Sequence, residues 1–564
     1  MPRLRWKPPE YPPWDLLGHP LPSEPTPQLN VELNGAGGAG EDALLLSVVT
    51  RPAYIRRRKV KCDAKKPICT PCARFIGGGL HDCEYTEAGP ARSQALEEQI
   101  SIIESRIREL EQPKALRTSV GLRNPYQPNN NRSPSMPPDS MGRPRSIGFY
   151  QALIAVFLRH ASQIGFFLSP QLFETLSSGA VPSQIASPAL LDAIYLWGAH
   201  LSRAEKLSVH ESGLLSDALR SAAESLSRGH SGTAILHTIQ AEVLLAQYFF
   251  RNARILEGKY HASAAVSISL SSGLHKIRSA DVRDSARSVE SLSPAASALE
   301  EGERINAFWT VLTLNNCWFA ADGSPTDISY TAHGVDTPWP LDIDVYFEES
   351  RLLPIQSSAT IDNFLAKLPD RGTSLPALHA KAGVVFEQAS RLAIRYTESA
   401  ARNHNKFCDE FSKLDEVIEA FKQILPRIEP GSTQSLLLVV HTIAHAATIQ
   451  LHNPFCLKSP GSRARAGAAA MAVVALLRQT NVPELGYVDA IVGTLWTAAC
   501  QACITELSCV RFNNSGAAYS VEQLCAAVET LLAAMSVFSR DCRLIDLQLA
   551  TAQQNYAAVR NGPE

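Results

Sequence analysis

Four cysteines, Cys62, Cys69, Cys72 and Cys83, stand within one short stretch of this chain, separated by six, two and ten residues. Thiolates at such spacing can hold zinc, which takes four nitrogen or sulfur ligands in a tetrahedron. Cys69 and Cys72 form a Cys-x2-Cys pair, in which the intervening turn lets both sulfurs face one metal. A cationic run leads into the cluster: Arg56, Arg57, Arg58, Lys59 and Lys61, then Lys65 and Lys66. Between Arg51 and Lys66 there are eight Lys/Arg against the single acid Asp63, although the whole chain carries a formal net charge of only −2. A positive patch confined to one segment of a near-neutral chain suits an anionic partner such as a phosphate backbone.

The remaining eight cysteines, Cys317, Cys408, Cys456, Cys500, Cys503, Cys509, Cys525 and Cys542, are scattered through apolar, helix-patterned sequence. Met1-Pro2-Arg3-Leu4-Arg5-Trp6 lacks the apolar core of a secretory signal, so reduced thiols are expected. With 564 residues, 45% hydrophobic and 19% charged, the chain is long enough for more than one core. No run of eighteen uninterrupted apolar residues occurs. The nearest, Leu436–Leu451, contains His441, Thr442, His445 and Thr448 and reads as a buried helix, so no membrane partner is expected.

The elements that must carry these residues are set by pattern. Residues 1–50, rich in Pro with a Gly/Ala tract at Gly35–Gly40, read as disordered. The cysteine module occupies 51–86. Leu96, Ile100, Ile103, Ile107 and Leu110 recur at spacings of 4, 3, 4 and 3 within a charged helix over 93–112. That is an a/d seam with Ile at a, the pattern of a two-stranded coiled coil, here a dimerisation helix of about two heptads. Residues 113–146 are rich in Pro, Asn, Ser and Arg and read as a linker. From Ile147 amphipathic helices succeed one another. Ser187-Pro188 is a helix start, and Leu190, Ile194, Trp197 and Leu201 keep helical spacing behind it. Leu236, Ile239, Val243 and Ala246 do the same. Tyr260–Ser272 reads as helix ended by Gly273, and Asp281–Glu303 as an inserted polar loop. The C-terminal stretch over 415–560 is again helical, with a C-terminal half that could be separable. The expected fold class is mostly α: a small, incomplete zinc-cluster head, a short coiled coil and a large all-α regulatory domain.

Arg-Arg-Arg-Lys-Val-Lys-Cys-Asp-x3-Pro-x-Cys-x2-Cys resembles the fungal Zn2Cys6 binuclear-cluster transcription factors. In that resemblance Cys62 corresponds to the third ligand, Cys69 to the fourth, Cys72 to the fifth and Cys83 to the sixth, with Pro67 in the intervening loop. The first two ligands would fall at Pro52 and Ile55, which cannot bind zinc, and no Cys or His occurs from Val31 to Lys61. Two accounts stand side by side: a misplaced exon boundary ahead of Arg56, or a degenerate cluster. The resemblance implies zinc as cofactor, a nuclear location and double-stranded DNA as partner. Arg58 and Lys59 would read bases of CGG-type triplets, while Arg56, Arg57, Lys61, Lys65 and Lys66 would hold phosphates. Residues 147–360 resemble the fungal-specific transcription factor domain. The resemblance rests on Ala189–Ala199, Leu256-Glu257-Gly258-Lys259-Tyr260-His261, Ser272-Gly273-Leu274-His275, Glu303–Trp309 and Gly323–Ile328, in that order. Residues 361–564 would form the helical C-terminal part of the regulatory region.

Catalytic readings are weaker. His441 and His445 stand at i and i+4 without the intervening acid of a His-Glu-x-x-His site. Cys500-Gln501-Ala502-Cys503 lies inside an apolar helical stretch beside Trp496. Gly323-Ser324-Pro325 lacks a strand–turn–helix frame. The expected protein is therefore not an enzyme but a homodimeric DNA-binding regulator of RNA polymerase II transcription. Its helical interior offers room for a small-molecule effector or a co-regulator. The competing reading is a degenerate-cluster regulator that does not bind DNA alone and acts by pairing with an intact relative.

Overall fold

The structure is a computed structural model. It describes residues 147–169, 172, 186–225, 231–280, 292–324, 334–347, 356–399, 404–513 and 518–560. The chain divides into two compact units; the described residues all lie in the larger, which includes 142–564.

Among the described residues the regular secondary structure is helical, joined by turns and irregular segments, with one isolated parallel bridge, Ser279 to Ser357. The family-like half contains α1 (Ile147–Leu158), α2 (Pro188–His200), α3 (Glu205–Ser208), α4 (Glu211–Ser225), α5 (Gly232–Arg251), α6 (Ile255–Ser271), α7 (Ala298–Ala321) and α8 (Thr360–Leu365). The chain continues through α9 (Leu375–Ser399), α10 (His404–Ile424), α11 (Gln434–His452), α12 (Pro460–Gln479), α13 (Ile491–Asn513), α14 (Val521–Ser539) and α15 (Arg543–Arg560).

Local chemistry sets the helix ends. Ser187 caps α2, its hydroxyl accepting from the Leu190 N–H, with Pro188 in the first turn. Ser231, Ser297 and Ser459 cap α5, α7 and α12 in the same way. Ser520 and Gln523 form a reciprocal capping box on α14. The stretch Tyr260–Ser272 is helix, as its length and alanine content predict, and Gly273 succeeds it in the left-handed region at φ 73°. One expectation is corrected: 298–303 is not loop but the first turns of α7, because Ser297 supplies a cap and Glu300 and Glu301 favour the helix N-terminus.

Packing runs along the chain. Helix α1 lies on α2, α2 on α4 and α5, α5 on α6, α6 on α7, α7 on α9, α9 on α11, α11 on α12, α12 on α13, and α13 on α14 and α15. The array then closes on itself, since α15 touches α5 and α13 touches α7. A single apolar cluster accordingly runs from Leu153 to Tyr556. The C-terminal helices are thus not a separable half: they cover the same core. α5 is buried at every position from Leu236 to Arg251, and α7 at every position from Arg304 to Ala321 except Thr310. Helices α11 and α14 are long and apolar enough to cross a membrane by length and composition alone. The relevant windows are 78% and 39% buried inside the protein.

Close approaches need glycine at a few points. A Cβ on Gly198 of α2 would collide with the Leu153 carbonyl of α1, and one on Gly302 of α7 would enter the Tyr346 ring. Gly198→Ala is therefore expected to push α1 off α2 and cost about 1–3 kcal/mol, seen as a lower urea midpoint. An unchanged midpoint would count against this packing.

Candidate nucleic-acid interface and the polar framework of the body

The predicted metal ligands Cys62, Cys69, Cys72 and Cys83 lie outside the described residues, as do the predicted DNA contacts Arg56 to Lys66 and the seam from Leu96 to Leu110. The donor chemistry can still be tested on composition. Four thiolates suffice for one tetrahedral zinc and fall two short of six. Among the described residues no group of three or more His, Cys, Asp or Glu could hold a metal ion.

The body's polar groups form a framework. Asp336 is the densest node. One carboxylate oxygen accepts from Lys276 Nζ at 3.1 Å and Ser279 Oγ at 2.6 Å, and the other from the Ala359 N–H at 2.8 Å. Thr337 Oγ1 donates to the Leu274 carbonyl at 2.6 Å and accepts from the Ile277 N–H at 3.1 Å. Together they tie the segments at 274–279, 336–337 and 357–360. The Asp336 carboxyl is held below the usual range by these donors and Lys276, against the opposing effect of burial.

The second node carries part of the family-like stretch. His261 Nδ1 meets Glu242 Oε2 at 2.6 Å, both groups buried, and its ring stacks on Phe249 at 5.2 Å. Arg254 covers Phe249 at 4.5 Å and pairs with Glu257. Gly258 lies where a Cβ would meet the Phe250 ring. Leu256 and Tyr260, from the same stretch, are 82% and 70% exposed. In the C-terminal part Asp415 collects Arg465 at 2.7 Å and His452 Nε2 at 3.2 Å, which hold its carboxyl low against burial.

The catalytic-looking pairs have structural roles. His441 Nε2 meets the Pro426 carbonyl at 2.8 Å, and burial lowers the pKa of both His441 and His445. Burial pushes the Cys500 thiol far up and the Cys503 thiol up to about 12, so neither is a ready nucleophile. A small depression of about 10 Å³, room for little more than a water, lies between α7, α9, α11 and α13 and is lined by Ala321, Phe386, Ala446, Gln450, Thr494, Leu495 and Ala498. Gln450 and Thr494 are its polar members, too few to read a polar effector. Sequence pattern missed the nodes at Glu242 and Asp336. A polar residue inside an amphipathic helix gives no sign that its own face is also covered.

Comparison with known families places two segments of the chain. Residues 56–91 match the family model of the Fungal Zn(2)-Cys(6) binuclear cluster domain, and residues 154–368 match that of the Fungal specific transcription factor domain. The first match begins at Arg56, after the two positions where Pro52 and Ile55 stand. No curated protein and no solved structure matches the chain. The two domains in this order define a transcription regulator that binds DNA, with a head of a zinc-binding type, and neither domain is enzymatic. The chain thus carries a segment similar to the fungal Zn2Cys6 cluster domain and, after it, one similar to the fungal-specific transcription factor domain.

Three histidines, His237 buried and His379 and His445 partly buried, give the body a pH dependence. Burial depresses the pKa of His237 and His379 to about 4 and that of His445 to about 3. The unfolded chain takes up these protons near pH 6.5 while the folded chain does not, so stability is full above that pH and falls towards pH 4. Each histidine contributes at most about 1.4 kcal/mol per pH unit. Urea midpoints should drop between pH 7 and pH 5, and His445→Gln should flatten the slope; a flat profile in the wild type would refute it.

Proposed function

We propose that this protein is a nuclear, zinc-dependent regulator of RNA polymerase II transcription that binds paired CGG-type triplets as a homodimer. The observation that carries the reading is the register of the basic run with the cysteines. Arg56–Lys61 runs directly into Cys62, and the family match to the zinc-cluster domain spans this segment. Arg58 and Lys59 are proposed to meet guanine O6 and N7, Arg bidentately and Lys as a point charge. Arg56, Arg57, Lys61, Lys65 and Lys66 are proposed to grip phosphates and set the salt dependence. Cys62, Cys69, Cys72 and Cys83 are the proposed zinc ligands.

The rest of the chain fits the same plan. The module occupies 51–86, the dimer helix 93–112, the linker 113–146 and the family domain 147–360, with the helical C-terminal part over 361–564. Leu96, Ile100, Ile103, Ile107 and Leu110 are proposed to pair two copies, and the stretch after Glu84 to set half-site spacing. A small effector or co-regulator acting through the body belongs to the same proposal.

A second reading is favoured by Pro52 and Ile55, which leave the cluster two thiolates short. In it the chain does not bind DNA alone and pairs through the same seam with an intact relative. Zinc content and gel shift separate the two. Two zinc ions per chain and shifted CGG-containing DNA support the homodimer; one or none, with no shift until a relative is added, supports the second reading.

In the homodimer, Arg58→Ala or Lys59→Ala should weaken specific binding by about 1–3 kcal/mol, while Lys65→Ala should weaken all sequences alike. Unchanged affinity would remove the base-reading assignment. Ile103→Lys should turn the dimer into monomers in analytical ultracentrifugation.

A further inference from the structure

We draw no further inference here: the strongest candidate, the outer face of α6 on which Leu256 and Tyr260 stand 82% and 70% exposed, is an unpartnered apolar face, and nothing in the structure shows what covers it.

Discussion

Complete enclosure of α5 and α7 is the constraint on which the rest of the body depends. A helix buried on one stripe can leave its polar residues in water; a helix buried all round takes them into the core, where several here find a partner while the side chains of Asn315 and Asn316 find none among the described residues. In α5, Gln240 accepts from the Phe167 N–H at 2.8 Å and donates to the Gly165 carbonyl at 3.1 Å. His237 accepts from the Ser187 N–H, Glu242 meets His261, and Gln247 reaches Asp489. In α7, Trp309 donates to the Pro338 carbonyl at 2.7 Å, and Arg304 to the Ser293 carbonyl at 2.7 Å. Each bond draws a connecting segment or a neighbouring helix onto the central pair. The route of the chain around α5 and α7 is thus partly dictated by the polar residues inside them.

That requirement also explains why the family-like half does not stand apart from the C-terminal helices. The faces of α7 and α5 not covered by α2, α6 and the segments around Asp336 are covered by α9, α13 and α15. Thr313 and Cys317 pack against Gly383 of α9, and the Ala320 carbonyl accepts from Ser390. A folding unit can extend well past the residues that define a family, because burial is shared by whichever helices complete the core. Within the family-like stretch 256–261 the residues divide by task. Gly258 allows close approach to Phe250 and His261 pairs with Glu242, while Leu256 and Tyr260 remain in solvent.

The head works by a different principle. A zinc-binding module so small cannot bury enough apolar surface to fold unaided, and modules of that kind draw their stability from metal–thiolate bonds. Ligand count is therefore a stability statement as well as a chemical one, and the residues at 52 and 55 weigh as much as the cysteines themselves. The body instead draws on one shared apolar core.

How far each part was legible depends on the kind of information it uses. The head is encoded in residue type and spacing: a basic run abutting four cysteines names its chemistry without coordinates, and the family comparison falls on that segment. Helix identities and several ends are also local, since 3.6-residue periodicity, Ser187-Pro188 and Gly273 act within a turn or two of chain. The α7 start at Ala298 escaped because the serine-rich composition around it masks the cap at Ser297. What no local pattern carries is which polar side chains end up inside. Gln247 and Asp489, or Asp336 and Ala359, meet from separate stretches of sequence, and nothing in either neighbourhood marks the other. The sequence by itself determined the chemistry of the head and the helical character of the body. Only the tertiary structure decided that one core spans both halves of that body and where its buried charges lie, because burial depends on every helix at once and periodicity depends on one.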